Sequence, residues 1–152
     1  MPMGPVQPVV ILMAEDNPAD VDLMRDSMER AKLLNVQDLH VVGDGMEALD
    51  FLRKKGAHAK APTPDLVILD VNMPRKTGLE VLREIREDPA LSYLPVVILT
   101  TSADEQSVFA SYQLHVNAYI TKPPDLAEFR KIVEKIDEFW LSIVKLPHPQ
   151  SR

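Results

Sequence analysis

Short apolar runs that close on polar residues alternate along this chain with stretches whose apolar residues recur at helical spacing. Val9 to Met13 is nearly continuously apolar and leads into Glu15-Asp16, as expected of a strand buried on both faces with polar residues at its carboxyl end. Pro18 and the acids after it suit a helix start, and Val21, Met24, Met28 and Ala31 predict a helix over about 18–32. Leu39 to Val42 reads as a second strand. Gly43-Asp44-Gly45 breaks it before the helical pattern Met46, Leu49, Phe51, Leu52. Gly56 to Pro64 carries three breakers and reads as a loop. Leu66-Val67-Ile68-Leu69 is the clearest central strand and delivers Asp70 at its carboxyl end. After the turn Asn72-Met73-Pro74, Leu79, Leu82 and Ile85 mark a helix to about Glu87, stopped near Pro89. Pro95 to Leu99 predicts a fourth strand running into Thr100-Thr101-Ser102. Asp104 caps a helix through Leu114, Ala118 to Thr121 form a fifth strand, and Pro124 opens a last helix to about Val144.

Strands alternating with helices imply a doubly wound α/β fold, with five parallel strands joined by right-handed crossovers and five helices on the two faces. A length of 152 residues fits one such domain, expected over 9–146 between short tails at 1–8 and 147–152. Composition agrees, at 45% hydrophobic and 26% charged. A formal charge of -6 repels phosphate backbones, which argues against nucleic acid as a direct ligand. With no cysteine, disulfides, thiolate metal sites and cysteine nucleophiles are excluded together. The amino-terminal MPMGPVQPVV lacks a basic segment followed by an apolar core, and no run approaches the about 20 apolar residues of a membrane span. The expected location is the cytoplasm, with no membrane contact.

Ligands of such sheets sit beyond the carboxyl ends of the strands, where strand order reverses. Glu15 and Asp16 end the first predicted strand, Asp70 the third, Thr100 the fourth and Lys122 the fifth. Each type suits the phosphorylation of a carboxylate. Crowded carboxylates repel one another, and a hard divalent cation such as Mg²⁺ relieves that repulsion while binding phosphoryl oxygens. A carboxylate can attack phosphorus when metal and cationic groups neutralise the charge on the transferred oxygens. Asp70 is thus the candidate nucleophile, Lys122 the cationic partner, and the Thr100 hydroxyl a donor to the arriving group.

These residues resemble the receiver family of two-component response regulators, the CheY-like domains. The resemblance rests on Glu15-Asp16, Asp70-x-x-Met73-Pro74-x-x-x-Gly78, Leu99-Thr100 and Tyr119-x-x-Lys122-Pro123, and covers about residues 9 to 144. It implies a flavodoxin-like fold with strand order 2-1-3-4-5. It also implies Mg²⁺ on Asp16, Asp70 and the backbone carbonyl of Asn72, with Glu15 assisting. Further implications are a switch in which Thr100 moves inward and Tyr119 changes rotamer, a signalling face around the fourth helix, and a cis bond at Lys122-Pro123, which is cheap before proline. Ser111-Tyr112-x-Leu114-His115-Val116-Asn117-x-Tyr119-Ile120-Thr121-Lys122 and Glu138-Phe139-Trp140-Leu141-Ser142 look like the Rcp-type regulators paired with cyanobacterial phytochromes, so the implied donor is a phytochrome-type sensor histidine kinase. Three positions depart from the commonest pattern. Glu15 stands for Asp, Thr101 for a small residue, and His115 for a glycine at a helix end, where a positive φ carries strain.

Blander readings stand beside these. Thr100 and Tyr119 are also ordinary strand residues, Lys122 a surface charge before a helix, and a lone Asp a solvated charge. His40, His58, His115 and His148 show no metal-ligand spacing. On the last helix Leu126, Phe129, Ile132, Val133 and Ile136 form a core-facing stripe. Phe139 and Trp140 extend it, either capping the core or forming a homodimer interface. Of rival functions, a haloacid-dehalogenase-type phosphotransferase needs a second Asp where Asn72 stands, and a receiver-shaped module that is never phosphorylated should lack Asp70 or Lys122. A flavin or nucleotide binder needs a Gly-rich loop after the first strand. With only a few residues after the last expected helix, no DNA-binding output is expected. The expected role is a phosphoaccepting signalling protein, with catalysis limited to its own phosphoryl transfer and dephosphorylation.

Overall fold

The computed structural model describes residues 10–31, 39–101, 104–122, 128 and 131, with backbone alone over 28–31. β1 (Ile11–Ala14), β2 (Leu39–Val42), β3 (Leu66–Leu69), β4 (Val96–Thr100) and β5 (Ala118–Thr121) form an all-parallel sheet in the order β2-β1-β3-β4-β5. α1 (Pro18–Ala31), α2 (Gly45–Arg53), α3 (Gly78–Glu87) and α4 (Glu105–Gln113) are the α-helices among the described residues. Of the fifth expected helix only Glu128 and Lys131 are described, and both are helical. This is the doubly wound, flavodoxin-like fold expected from the sequence.

Successive side chains of a strand point to opposite faces, and here both faces are buried. Leu12, Ala14, Val67, Leu69, Val96 and Ile98 join Leu49, Leu52, Val81, Leu82 and Ile85 of α2 and α3 in one core. Ile11, Met13, Leu66, Ile68, Val97 and Leu99 join Met24 of α1 in the other. All four β3 residues are at most 1% exposed. Each such side chain contributes roughly 1.5–3 kcal/mol, so the strand that delivers Asp70 is a rigid platform.

Helix starts are fixed by local chemistry. Asp44 accepts from the Glu47 amide at 2.8 Å and Asp104 from the Ser107 amide at 3.1 Å, while Thr77 and Glu80 form a reciprocal capping box. Two glycines let loops close up beneath the site. A Cβ on Gly45 would lie 2.1 Å from the Lys76 carbonyl oxygen, and one on Gly78 would lie 2.2 Å from that of Asp70. Arg75 forks onto Asp44 with two 3.0 Å bonds, tying the β2–α2 loop to the β3–α3 loop.

Element ends differ from expectation by one or two residues. The first strand begins at Ile11 because the Val10 amide and carbonyl are taken by the Asp65 carboxylate (2.9 Å) and amide (2.7 Å). It extends to Ala14, which pairs with Val42 and Leu69; Val9 lies outside the described residues. The fourth strand is Val96–Thr100, since Pro95 has no N–H for the ladder and Thr100 pairs with Thr121. The expected loop from Gly56 contains a short 3₁₀ turn, Gly56–His58. α4 stops at Gln113 with Leu114 as its C-cap, and His115 takes the expected left-handed conformation at φ 59. The Arg86 guanidinium holds that corner, donating to the Leu114 carbonyl (3.1 Å), the His115 carbonyl (2.9 Å) and the Asn117 side chain (3.2 Å).

Candidate functional site

The carboxyl ends of β1, β3, β4 and β5 bring five of the sequence-derived candidates together. Parallel pairing does the positioning. The Asp70 amide continues the β1–β3 ladder onto the Ala14 carbonyl at 3.2 Å, and the Lys122 amide bonds the Thr100 carbonyl at 2.7 Å. Asp70 therefore emerges between the β1 acids on one side and Thr100 and Lys122 on the other.

The Asp70 carboxylate is almost buried, and both of its oxygens are engaged. Oδ1 accepts from the Thr100 hydroxyl at 2.6 Å and the Asn72 amide at 3.0 Å, and Oδ2 accepts from Lys122 Nζ at 3.1 Å. Burial alone would raise its pKa, but the Thr100 hydroxyl, the Asn72 amide and the Lys122 ammonium together hold it below the ordinary carboxylate value. Asp70 is ionised at neutral pH. Glu15 goes the other way. Burial, with the Asp70 charge beside it, pushes its carboxyl up to about 7 despite the Lys122 contact at 2.5 Å.

Lys122 Nζ is the hub, bonded to Glu15 Oε1, to Asp70 Oδ2 and, at 2.7 Å, to Asp20 Oδ2 in the first turn of α1. Burial would lower its pKa, yet these carboxylates raise it above the ordinary lysine value. The part taken by Asp20 has no place in the sequence reading, where it serves only as an acid at a helix start. Its one available signal is that it follows Asp16 by about one turn of helix.

One oxygen each from Glu15, Asp16 and Asp70 lies within 4.8 Å of the others. Hard oxygen donors at this spacing suit a divalent cation such as Mg²⁺ or Mn²⁺. With its carboxyl raised to about 7 by burial even beside Lys122, Glu15 is the acid whose ionised form such a cation would favour. Asp16 is exposed and open to an arriving ion, and Thr101 is exposed on the rim.

Other candidates lie elsewhere. Tyr119 is half-buried on β5 beside Ile98 and packs against the core shared with α2 and α3. Asn72 reaches the carboxylate through its amide. Pro123, Phe139 and Trp140 lie outside the described residues.

Comparison with known proteins adds independent evidence. A family model described as a response regulator receiver domain matches residues 11–134. Response regulator Rcp1 of Synechocystis sp. is 44% identical over 140 residues, covering 92% of this chain and 94% of that protein. The phosphorylated cyanobacterial phytochrome response regulator RcpA superposes with a TM-score of 0.83 at 45% identity, covering 93% of this chain and 100% of its own. The Mn²⁺-bound form of Rcp1 does so at 0.83 and 43%, with the same coverage.

Proposed function

Since the chain belongs to the response regulator receiver family and is a signalling protein of the kind that works with histidine kinases, we propose that it takes its phosphoryl group on Asp70 from a phytochrome-type sensor kinase. The carrying observation is an ionised carboxylate held at once by a hydroxyl, an amide and an ammonium, with two more carboxylates alongside. An Asp70 oxygen attacks phosphorus as the phosphorus–nitrogen bond of a phosphohistidine breaks, and the imidazole nitrogen keeps the bonding electrons and takes up a proton. The depressed pKa keeps the nucleophile charged at neutral pH. Lys122 neutralises charge on the transferred oxygens, and the Thr100 hydroxyl moves from Asp70 to the phosphoryl group.

Glu15, Asp16 and Asp70, together with the Asn72 carbonyl, would hold Mg²⁺, which when bound neutralises phosphoryl charge. The acidic triad and the Mn²⁺-bound relative support this assignment. Beyond accepting the group, the protein's catalysis is limited to the transfer and its own dephosphorylation. Movement of Thr100 with a change at Tyr119 carries the signal to the α4–β5 face. Exposed Phe109 and Tyr112 on α4, at 65% and 53%, support a contact surface there, and we assign Phe139 and Trp140, outside the described residues, to the same homodimer interface on the apolar pattern of the sequence. The cytoplasm is the proposed location, consistent with the lack of a membrane-length apolar helix among the described residues.

Incubation with Mg²⁺ and a small phosphodonor, followed by mass spectrometry, should place an acid-labile phosphoryl group on Asp70. Asp70→Asn should abolish it. Undiminished labelling of that variant would overturn the assignment.

A further inference from the structure

We propose that Asp20 is the positioning residue for Lys122, a dedicated counter-ion that keeps the ammonium at the phosphoryl site once metal is bound. The proposal rests on the reading of Asp70 as phosphoacceptor.

An ammonium has three N–H donors, and Glu15, Asp20 and Asp70 take all three. Two of these acceptors, Glu15 and Asp70, also belong to the group of oxygens that fits a divalent cation, whereas Asp20 does not. A cation held by Glu15 and Asp70 would compete with the ammonium for the charge of those two carboxylates. The Lys122 side chain is only 5% exposed, so little water reaches it to compensate. Asp20 is the one partner whose charge stays with Lys122. It is also well placed to hold still. The Asn17 side chain caps the start of α1 through the Ala19 amide at 2.9 Å, the Asp20 amide bonds the Asn17 carbonyl at 3.1 Å, and a carboxylate in a first helical turn faces the positive end of the helix dipole. The bond at 2.7 Å thus ties the end of β5 to the start of α1, across the mouth of the site. When Lys122 turns one donor from Asp70 to a phosphoryl oxygen, the Asp20 contact sets the pivot.

The test compares wild type with Asp20→Asn and Asp20→Glu. Labelling of Asp70 by acetyl phosphate at saturating Mg²⁺ should slow about tenfold in Asp20→Asn, the scale of one charge-assisted hydrogen bond, and recover in part in Asp20→Glu. Binding of beryllofluoride, a phosphoryl mimic, should weaken in parallel. Mg²⁺ affinity by calorimetry should stay within about threefold, because Asp20 is not among the oxygens that fit the cation. Wild-type labelling and beryllofluoride binding in Asp20→Asn would overturn the proposal. So would a loss of Mg²⁺ affinity as large as the loss of rate, since Asp20 would then be a metal ligand. If wild type itself carries no phosphoryl group on Asp70, the reading of the site fails instead. The NMR signal of the Lys122 side chain then decides the anchoring, because an Asp20→Asn change that leaves it unmoved refutes the contact.

Discussion

Replacing Glu15 with Gln should change the way stability depends on pH. In the metal-free protein the Glu15 carboxyl is raised from 4.5 to about 7, chiefly by burial. Between those values the native form holds a proton that the unfolded chain has lost, so stability falls as pH rises through that window and levels off above it. At about 1.4 kcal/mol per unit, the shift amounts to about 3 kcal/mol. The other perturbed members of the cluster act elsewhere. The lowered Asp70 contributes stability that is lost only as pH falls below its ordinary 3.8, and the raised Lys122 contributes stability that is lost only above its ordinary 10.5. Urea unfolding followed by circular dichroism, in chelator, at a series of pH values from about 4 to 8, isolates the effect as the difference between variant and wild type. Glutamine cannot ionise, so the variant should gain about 3 kcal/mol relative to wild type across the window, whatever constant offset its weaker contact with Lys122 adds. Saturating Mg²⁺ should flatten the wild-type decline, because a cation beside the carboxylate stabilises its charged form. Parallel curves for the two proteins in chelator would refute the account of Glu15 as a carboxyl that burial raises to about 7.

Other perturbations test the frame around the site. Gly78→Ala would place a methyl group 2.2 Å from the Asp70 carbonyl oxygen; it should cost about 1–3 kcal/mol in chemical denaturation and slow labelling of Asp70, and an unchanged midpoint would contradict the close approach. Arg86 donates five hydrogen bonds, to the carbonyls of Ser92, Leu94, Leu114 and His115 and to Asn117. Arg86→Met should cost about 3 kcal/mol and lower the melting temperature by about 10 °C, whereas a loss under about 1 kcal/mol would reduce it to a surface contact. For self-association, sedimentation should show a concentration-dependent dimer that Phe109→Ala and Trp140→Ala each weaken. Monomers at tens of micromolar, with and without phosphorylation, would dismiss the interface.

Much of this molecule is legible along the chain because the relevant physics is local. A strand buried on both faces must be apolar throughout, so Leu66 to Leu69 declares itself and sets Asp70 at its end. Asp104 announces the start of α4, its side chain meeting an amide only three residues on; Asp44 and Thr77 cap α2 and α3 in the same way in the structure. Glu15, Asp16, Asp70, Thr100 and Lys122 converge because parallel strands put all their carboxyl ends on one edge. The boundary at Val10 misses by a residue or two because it depends on the distant Asp65, whose carboxylate and amide take the Val10 backbone, whereas the one at Pro95 follows from the missing N–H of proline itself. What tertiary structure alone decides are the encounters between distant atoms. Lys122 meets Asp20 from 102 residues away and Arg86 meets Leu114 and His115 across two elements. Gly45 and Gly78 are required by carbonyls that no local pattern brings near them. The opposite pKa shifts of Glu15 and Asp70 belong to the same class. Two acids on neighbouring strand ends look alike in sequence; in the fold both meet the Lys122 ammonium and a backbone amide, but Asp70 alone also gains the Thr100 hydroxyl, while burial outweighs the contacts of Glu15.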